Sequence, residues 1–196
     1  MIAKLEDIIE ARIEARDPST SPERLFAITQ SGDHEIREAA AYNPNAPLAL
    51  LYELWREFPG GYFENPVVPL LQVSDPRLVL NMPADTLIAV ISQRLASPGL
   101  LERASRHRQR EVRQAVARHP NSPPEILVQM GRGYYFYEDV AANPGTPAAY
   151  LEELQIHPWV SVRLALCDNA ALPEAVRARL LEDEEPAVRA RAAGHW

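Results

Sequence analysis

Along most of the chain apolar residues recur three or four positions apart, the spacing of one helix face, and proline-bearing phrases interrupt them at near-regular intervals. The phrase is Asn, Asp or His, then Pro, a small residue, and Ser/Thr or a substitute. It appears as Asp17-Pro18-Ser19-Thr20, Asn43-Pro44-Asn45-Ala46, His119-Pro120-Asn121-Ser122 and Asn143-Pro144-Gly145-Thr146, with a degenerate copy at Asn169-Ala170-Ala171-Leu172. Asp17 to Asn43, His119 to Asn143 and Asn143 to Asn169 are steps of 26, 24 and 26 residues. The longer gap from Asn43 to His119 has room for about three more units, one marked by Asn65-Pro66.

Each phrase predicts the start of a helix. Thr20 with Glu23 and Ser122 with Glu125 have the spacing of capping boxes, and Pro47, Pro123, Pro147 and Pro173 sit at or near a first helical position, where a missing N–H costs nothing. Counting from the first residue of the phrase, position +8 is Leu25, Leu51, Leu127 and Leu151, and position +11 is Ile28, Leu54, Met130, Leu154 and Leu180. Positions three apart share a helix face, so these residues predict a core. A second helix precedes the phrase, with a β-branched residue, Arg, and then small residues: Ile36-Arg37, Val112-Arg113, Val162-Arg163 and Val188-Arg189, followed by Ala or Cys at sites such as Ala40, Ala117 and Cys167. Small side chains there let stacked units approach closely.

The pattern predicts an all-α chain with a capping helix over 1–16, regular repeats over 17–54, irregular repeats over 55–105 and regular repeats again over 106–196, all in one domain. A pair of domains hinged in the central stretch is the alternative. The first helix carries Ile2, Leu5, Ile9 and Ile13 near one face. Two segments, Gly60-Gly61-Tyr62-Phe63 and Gly131-Arg132-Gly133-Tyr134-Tyr135-Phe136-Tyr137, place Gly and then aromatic residues where the Val-Arg helix is expected. Clustered tyrosine is the composition of a contact surface, so Tyr62, Tyr134, Tyr135 and Tyr137 are candidate partner-binding residues; rings filling the space left by a shortened helix are the plainer explanation for Phe63 and Phe136.

In outline the units read V-R-x-A-x-A-x-N-P-x-[ST]-P-x-x-x-L-x-x-L, which resembles the leucine-rich repeat variant family, closest across Arg110 to Gly194, good across Asp17 to Leu54 and poor between Trp55 and Ser105. The resemblance implies a right-handed α-solenoid of about seven short repeats, HEAT-like, in which α-helices alternate with short 3₁₀ segments. It implies a binding role with no shared catalytic residues, and structural pairing of the Val-Arg arginines with neighbouring acids. Some relatives carry an iron–sulfur cluster on an added cysteine-rich segment, which is absent here.

Charge and chemistry narrow the function classes. The chain has 20 basic against 27 acidic residues, a net charge of −7, which weighs against general polyanion binding. Locally, Leu101 to Pro120 holds Arg103, Arg106, Arg108, Arg110, Arg113 and Arg118 against Glu102 and Glu111. Of these, Arg106, Arg108 and Arg110 stand outside the Val-Arg ladder and are candidates for a partner's acidic face. Their rival use is a nucleic-acid-binding or base-processing helical repeat, the class to which helical-repeat DNA glycosylases belong. Cys167 is the only cysteine, which leaves no intramolecular disulfide and no all-cysteine metal site, and is compatible with a reducing, cytoplasmic setting. The five histidines are scattered, and neither a metal-ligand spacing nor a phosphate loop occurs, so neither catalysis nor a cofactor is expected. No stretch is apolar enough to predict a membrane span. The last Val-Arg helix has no Leu helix after it, which makes Trp196 a candidate contact for a partner or a second copy. The expected function is a protein-binding adaptor or scaffold.

Overall fold

The computed structural model describes residues 2–133 and 135–194, with side chains from residue 6 onward. Ile2 and Leu5 therefore have no described side chains, and Tyr134 and Trp196 lie outside the described residues. Those residues form sixteen α-helices and no strand. The backbone clusters into two compact units, Met1–Ala96 and Ser97–Trp196.

The first unit comprises α1 (Ile2–Arg16), α2 (Pro22–Thr29), α3 (His34–Ala41), α4 (Leu48–Glu57), α5 (Gly60–Glu64), α6 (Val68–Ser74), α7 (Leu78–Asn81) and α8 (Ala84–Ile91). The second comprises α9 (Pro98–Ala104), α10 (Arg110–Arg118), α11 (Pro124–Arg132), α12 (Tyr137–Ala142), α13 (Ala148–Leu154), α14 (Val160–Cys167), α15 (Glu174–Leu180) and α16 (Pro186–Ala192). In the second unit the Val-Arg helices α10, α14 and α16, with α12 in the corresponding place of its unit, stack in succession. Val112, Val116, Val140, Val162, Leu166 and Val188 are fully buried between them, with Ala117, Ala141 and Cys167 beside them. The expected core of the Leu helices is also buried: Leu25, Ile28, Leu51, Leu54, Leu127, Met130, Leu151, Leu154 and Leu180.

The phrase asparagines act as rungs. Asn143 Nδ2 donates to the carbonyls of Ala117 (2.6 Å) and His119 (3.0 Å), while its Oδ1 accepts from Gly145 N (2.8 Å). Asn169 repeats this toward Ala141, Asn143 and Ala171. Asn43 does so toward Ala15, Asp17 and Asn45, and Asn65 toward Ala41, Asn43 and Val67. Each amide thus donates to two carbonyls of the previous unit, one at its helix end and one that already accepts its turn's own N–H, and closes its own turn. The turns hold single i→i+3 bonds, as from Thr146 N to Asn143 O and from Leu172 N to Asn169 O, so they are β-turns, and no 3₁₀ helix forms among the described residues. Asp75 closes the same turn on Arg77 N, which marks a further copy at Asp75-Pro76.

Two expectations change. The capping boxes do not form. Thr20, Ser122 and Thr146 instead donate back to the carbonyls of Glu14, Val116 and Val140, six residues earlier, so the hydroxyl ends the preceding helix rather than starting the next. Helix α2 is capped by Ser21, and α11 begins at Pro123 with no side-chain cap. On α1 the buried face is Ala11 and Ala15, while Ile9 and Ile13 are exposed. Small residues let α1 lie close to α3, and Arg12 bridges to Asp33 and Glu35 at the start of α3. In the centre, α8 packs on α4, with Thr86 Oγ1 donating to Tyr52 O.

The short helix α5 packs against α3 through glycine. A Cβ on Gly61 would stand 2.7 Å from the Ala41 carbonyl oxygen, which already accepts from Trp55 Nε1 and Asn65 Nδ2. Backbone bearing two buried hydrogen bonds cannot yield without loss, so Gly61→Ala lowers stability by about 2 kcal/mol. At Gly60 the obstacle is only the Tyr42 hydroxyl at 2.8 Å, the end of a side chain, so Gly60→Ala costs less when both variants are compared by urea titration.

Candidate binding surface

In the second unit α10, α14 and α16 are each entered through a loop built the same way. His107 Nδ1 accepts from Gln109 N, His157 Nδ1 from Trp159 N, and Asp183 Oδ1 from Glu185 N. Six residues on, the ladder arginine folds back over its own loop: Arg113 donates to His107 O (2.7 Å), Arg163 to His157 O (2.7 Å) and Arg189 to Asp183 O (2.6 Å). Carbonyls that would otherwise need water are thereby closed by guanidinium groups, which fixes the loops. His107 and His157 are therefore turn residues, a role not assigned to them from the sequence. The signal was available, since both stand six residues before a ladder arginine, as Asp183 does.

Pairing of the ladder with neighbouring acids holds for Arg37, which bridges to Glu57 at 2.7 Å, and for Arg163, which bridges to Asp183 at 2.7 Å with both side chains buried. Burial pushes the Asp183 carboxyl up, but the Arg163 hydrogen bonds, the Glu185 amide and the charges of Arg163 and Arg189 together hold it below its ordinary value.

The loops adjoin one another along one edge. Arg110 reaches Tyr135 O at 3.5 Å, and the Arg110 and Arg113 guanidiniums lie about 6 Å from the Phe136 ring centroid, as cation–π geometry allows. Tyr137 meets His157 (4.4 Å between ring centroids) and Trp159 (5.7 Å), and Ser161 donates to Glu138. Arg163 carries the sequence of contacts to Asp183 and Glu184. Beside that last step lies a groove of about 350 Å³ lined by Gln155, Ile156, Arg163, Arg179, Asp183 and Glu184.

Along this edge the chemistry changes in order. The first loop offers exposed Arg106, Arg108 and Arg110. The middle two expose Tyr135 (66%), Ile156 (78%) and Trp159 (52%). The last carries exposed Glu182 and Glu184 with half-buried Glu185. Large apolar side chains fixed in the open on braced loops, between opposite charges, form the kind of surface that marks a contact site.

The basic stretch is smaller than its arginine count. Arg106 pairs with Glu102, Arg118 with Asp139, and Arg113 is half-buried over its loop carbonyls. Arg103, Arg108 and Arg110 form no ion pair among the described residues.

Tyr62 is not part of any surface. It is 3% exposed, packs edge-on against Trp55 and Phe63, and its hydroxyl accepts from Gln72 Nε2. Register explains the difference between the two aromatic segments. Tyr62 stands three residues before Asn65, the core place that Val140 holds before Asn143, whereas Tyr135 stands eight residues before Asn143, in the loop. Phe136 is buried and Phe63 half-buried. Tyr137 is half-buried among rings rather than presented as a lone anchor.

Helix α10, the His119-Pro120 turn and α11 make up the most regular unit, with the rung partner His119, the back-bonding Ser122 and the core pair Leu127 and Met130 all in place. Residues 110–132 match the leucine rich repeat variant family model. The all-helical repeat architecture is consistent with that family. That family points to a repeat-based binding scaffold and is typically non-catalytic. No curated protein and no solved structure matches the chain.

Two groups that could carry other chemistry are shifted by burial. Cys167 is buried, and burial pushes its thiol up, away from the reactive thiolate. Burial holds the His157 imidazole below its ordinary value, with Glu138 opposing and Arg163 adding to the shift. Among the described residues no cluster of three or more His, Cys, Asp or Glu could hold a metal ion, and no helix is long and apolar enough to cross a membrane.

Proposed function

We propose that the chain is a non-catalytic protein-binding scaffold and that its partner docks on the loop edge of the second unit, with Tyr135, Ile156 and Trp159 as anchors between Arg106, Arg108 and Arg110 on one side and Glu182 and Glu184 on the other. The observation that carries this is the exposure of Trp159 and Ile156 on a loop whose carbonyl is clamped by Arg163. A pre-fixed aromatic anchor loses little conformational freedom on binding, so its apolar area contributes nearly in full. Opposite charges at the two ends set orientation and speed encounter rather than supplying most of the affinity.

The test places a photoactivatable benzophenone side chain at Trp159 or, as a control, at exposed Glu152 of α13, and irradiates each protein in cell extract. A protein adduct at position 159 but not at 152, reduced about tenfold by Tyr135→Ala, is expected. An adduct to nucleic acid, or equal labelling at both positions, rejects the scaffold reading at this edge. A nucleic-acid adduct would favour the arginine-based rival.

A further inference from the structure

The four loops are spaced by the repeat, so their chemistry is ordered along a line: arginines on the first, Tyr135 on the second, Ile156 and Trp159 on the third, glutamates on the fourth. With stacked helices roughly 9 Å apart, three steps span about 27 Å. Turning this line end for end about its centre exchanges the first loop with the fourth and the second with the third. The arginine loop then faces the glutamate loop, and Tyr135 faces Trp159. The edge is therefore complementary to itself under a two-fold rotation, which is the requirement for an isologous contact.

Resting on the scaffold reading of this edge, we infer that the partner it fits is a second copy of this chain, docked antiparallel with its dyad between the second and third loops. In that arrangement Arg108 and Arg110 of one copy meet Glu182 and Glu184 of the other, twice over. Glu184 is 89% exposed at the mouth of the 350 Å³ groove, where a guanidinium from the other copy finds both it and the Ile156 side chain. At the centre, Tyr135 and Trp159 of opposite copies bury each other's apolar area at the dyad. A strip this narrow gives a weak dimer, in the micromolar range and sensitive to salt, because a substantial part of its complementarity is between exposed charges.

Sedimentation of the purified full chain at low salt tests this. The wild type is expected to shift from monomer to dimer over tens to hundreds of micromolar and to return to monomer at high salt. Arg108→Glu/Arg110→Glu makes both ends acidic, and Glu182→Arg/Glu184→Arg makes both ends basic, so each variant alone stays monomeric. Mixed in equal amounts, the two variants restore complementarity at both ends and form a heterodimer. Recovery on mixing cannot come from misfolded variants. A wild type that stays monomeric across this range, a mixture that fails to associate, or assembly that continues past the dimer overturns the inference. Photocrosslinking at Trp159 separates the two levels. A homodimeric adduct supports the inference, whereas a monomeric chain that crosslinks to a different protein there overturns it and leaves the scaffold reading standing. A monomeric chain that gives no protein adduct removes both.

Discussion

Asn143→Ala lowers the free energy of unfolding by about 3 kcal/mol, measured by urea titration followed by far-ultraviolet circular dichroism. The side chain is 2% exposed and makes three hydrogen bonds, two to carbonyls of the previous turn and one closing its own. Alanine leaves two buried carbonyls and the Gly145 N–H without that partner, and the site is too enclosed for water to replace it cheaply. Asn143→Asp is expected to be at least as damaging. It retains the acceptor for Gly145 but turns a carboxylate toward two carbonyl oxygens. Asn45→Ala is the control. Its amide also donates to two carbonyls, those of Pro18 and Thr20, but in the open, so its removal costs under about 1 kcal/mol. A loss at Asn143 no larger than at Asn45 would show that the rungs are not what joins one repeat to the next.

The asparagine rungs also illustrate how far the sequence could be read. Their spacing located the turns because Asn-Pro is a rare pair recurring at a fixed interval, and the core followed from positions +8 and +11. The direction of the Ser/Thr hydroxyl was misjudged because a capping box and a bond back to the preceding helix use the same residue at the same site. Only the placement of the earlier carbonyl decides between them. On α1 the isoleucines outranked the alanines in hydrophobicity, yet close approach to α3 selects the smaller side chains.

The candidate edge was legible in part. Arg106, Arg108, Arg110, Tyr135 and Tyr137 were found as local excesses of one residue type, and they lie on or beside the loops that form it. Tyr62 was grouped with them by composition, although its register relative to Asn65 places it in the core. Ile156, Trp159, Glu182 and Glu184 were missed because no single loop is unusual. The edge exists only when four loops from successive units are laid side by side, which the repeat period dictates but a linear scan for clusters does not reveal.

Arg163→Met is expected to cost about 3–5 kcal/mol, among the largest effects of any single substitution here. Arg163 is 5% exposed and joins two segments: its own loop through His157 O, and the next unit through Asp183 and Glu184. Methionine fills much of the same volume, so the loss is electrostatic rather than a cavity. Asp183 keeps its bond from Glu185 N but becomes a nearly buried carboxylate without its counter-ion. Arg163→Met/Asp183→Asn keeps that turn-closing acceptor and removes the stranded charge, so the double variant recovers a large share of the stability lost by the single one. The dependence on pH follows from the depressed Asp183 carboxyl. A carboxyl that ionises more readily in the folded state contributes stability above its unfolded value, near 3.8, and that contribution disappears as pH falls through its lower folded value. The gap between wild type and Arg163→Met is therefore full at neutral pH and narrows on acidification below about pH 4. A gap that is unchanged between pH 7 and pH 3 would mean that Arg163 acts by packing alone, and that the ladder arginines secure the loops of the edge by shape rather than by charge.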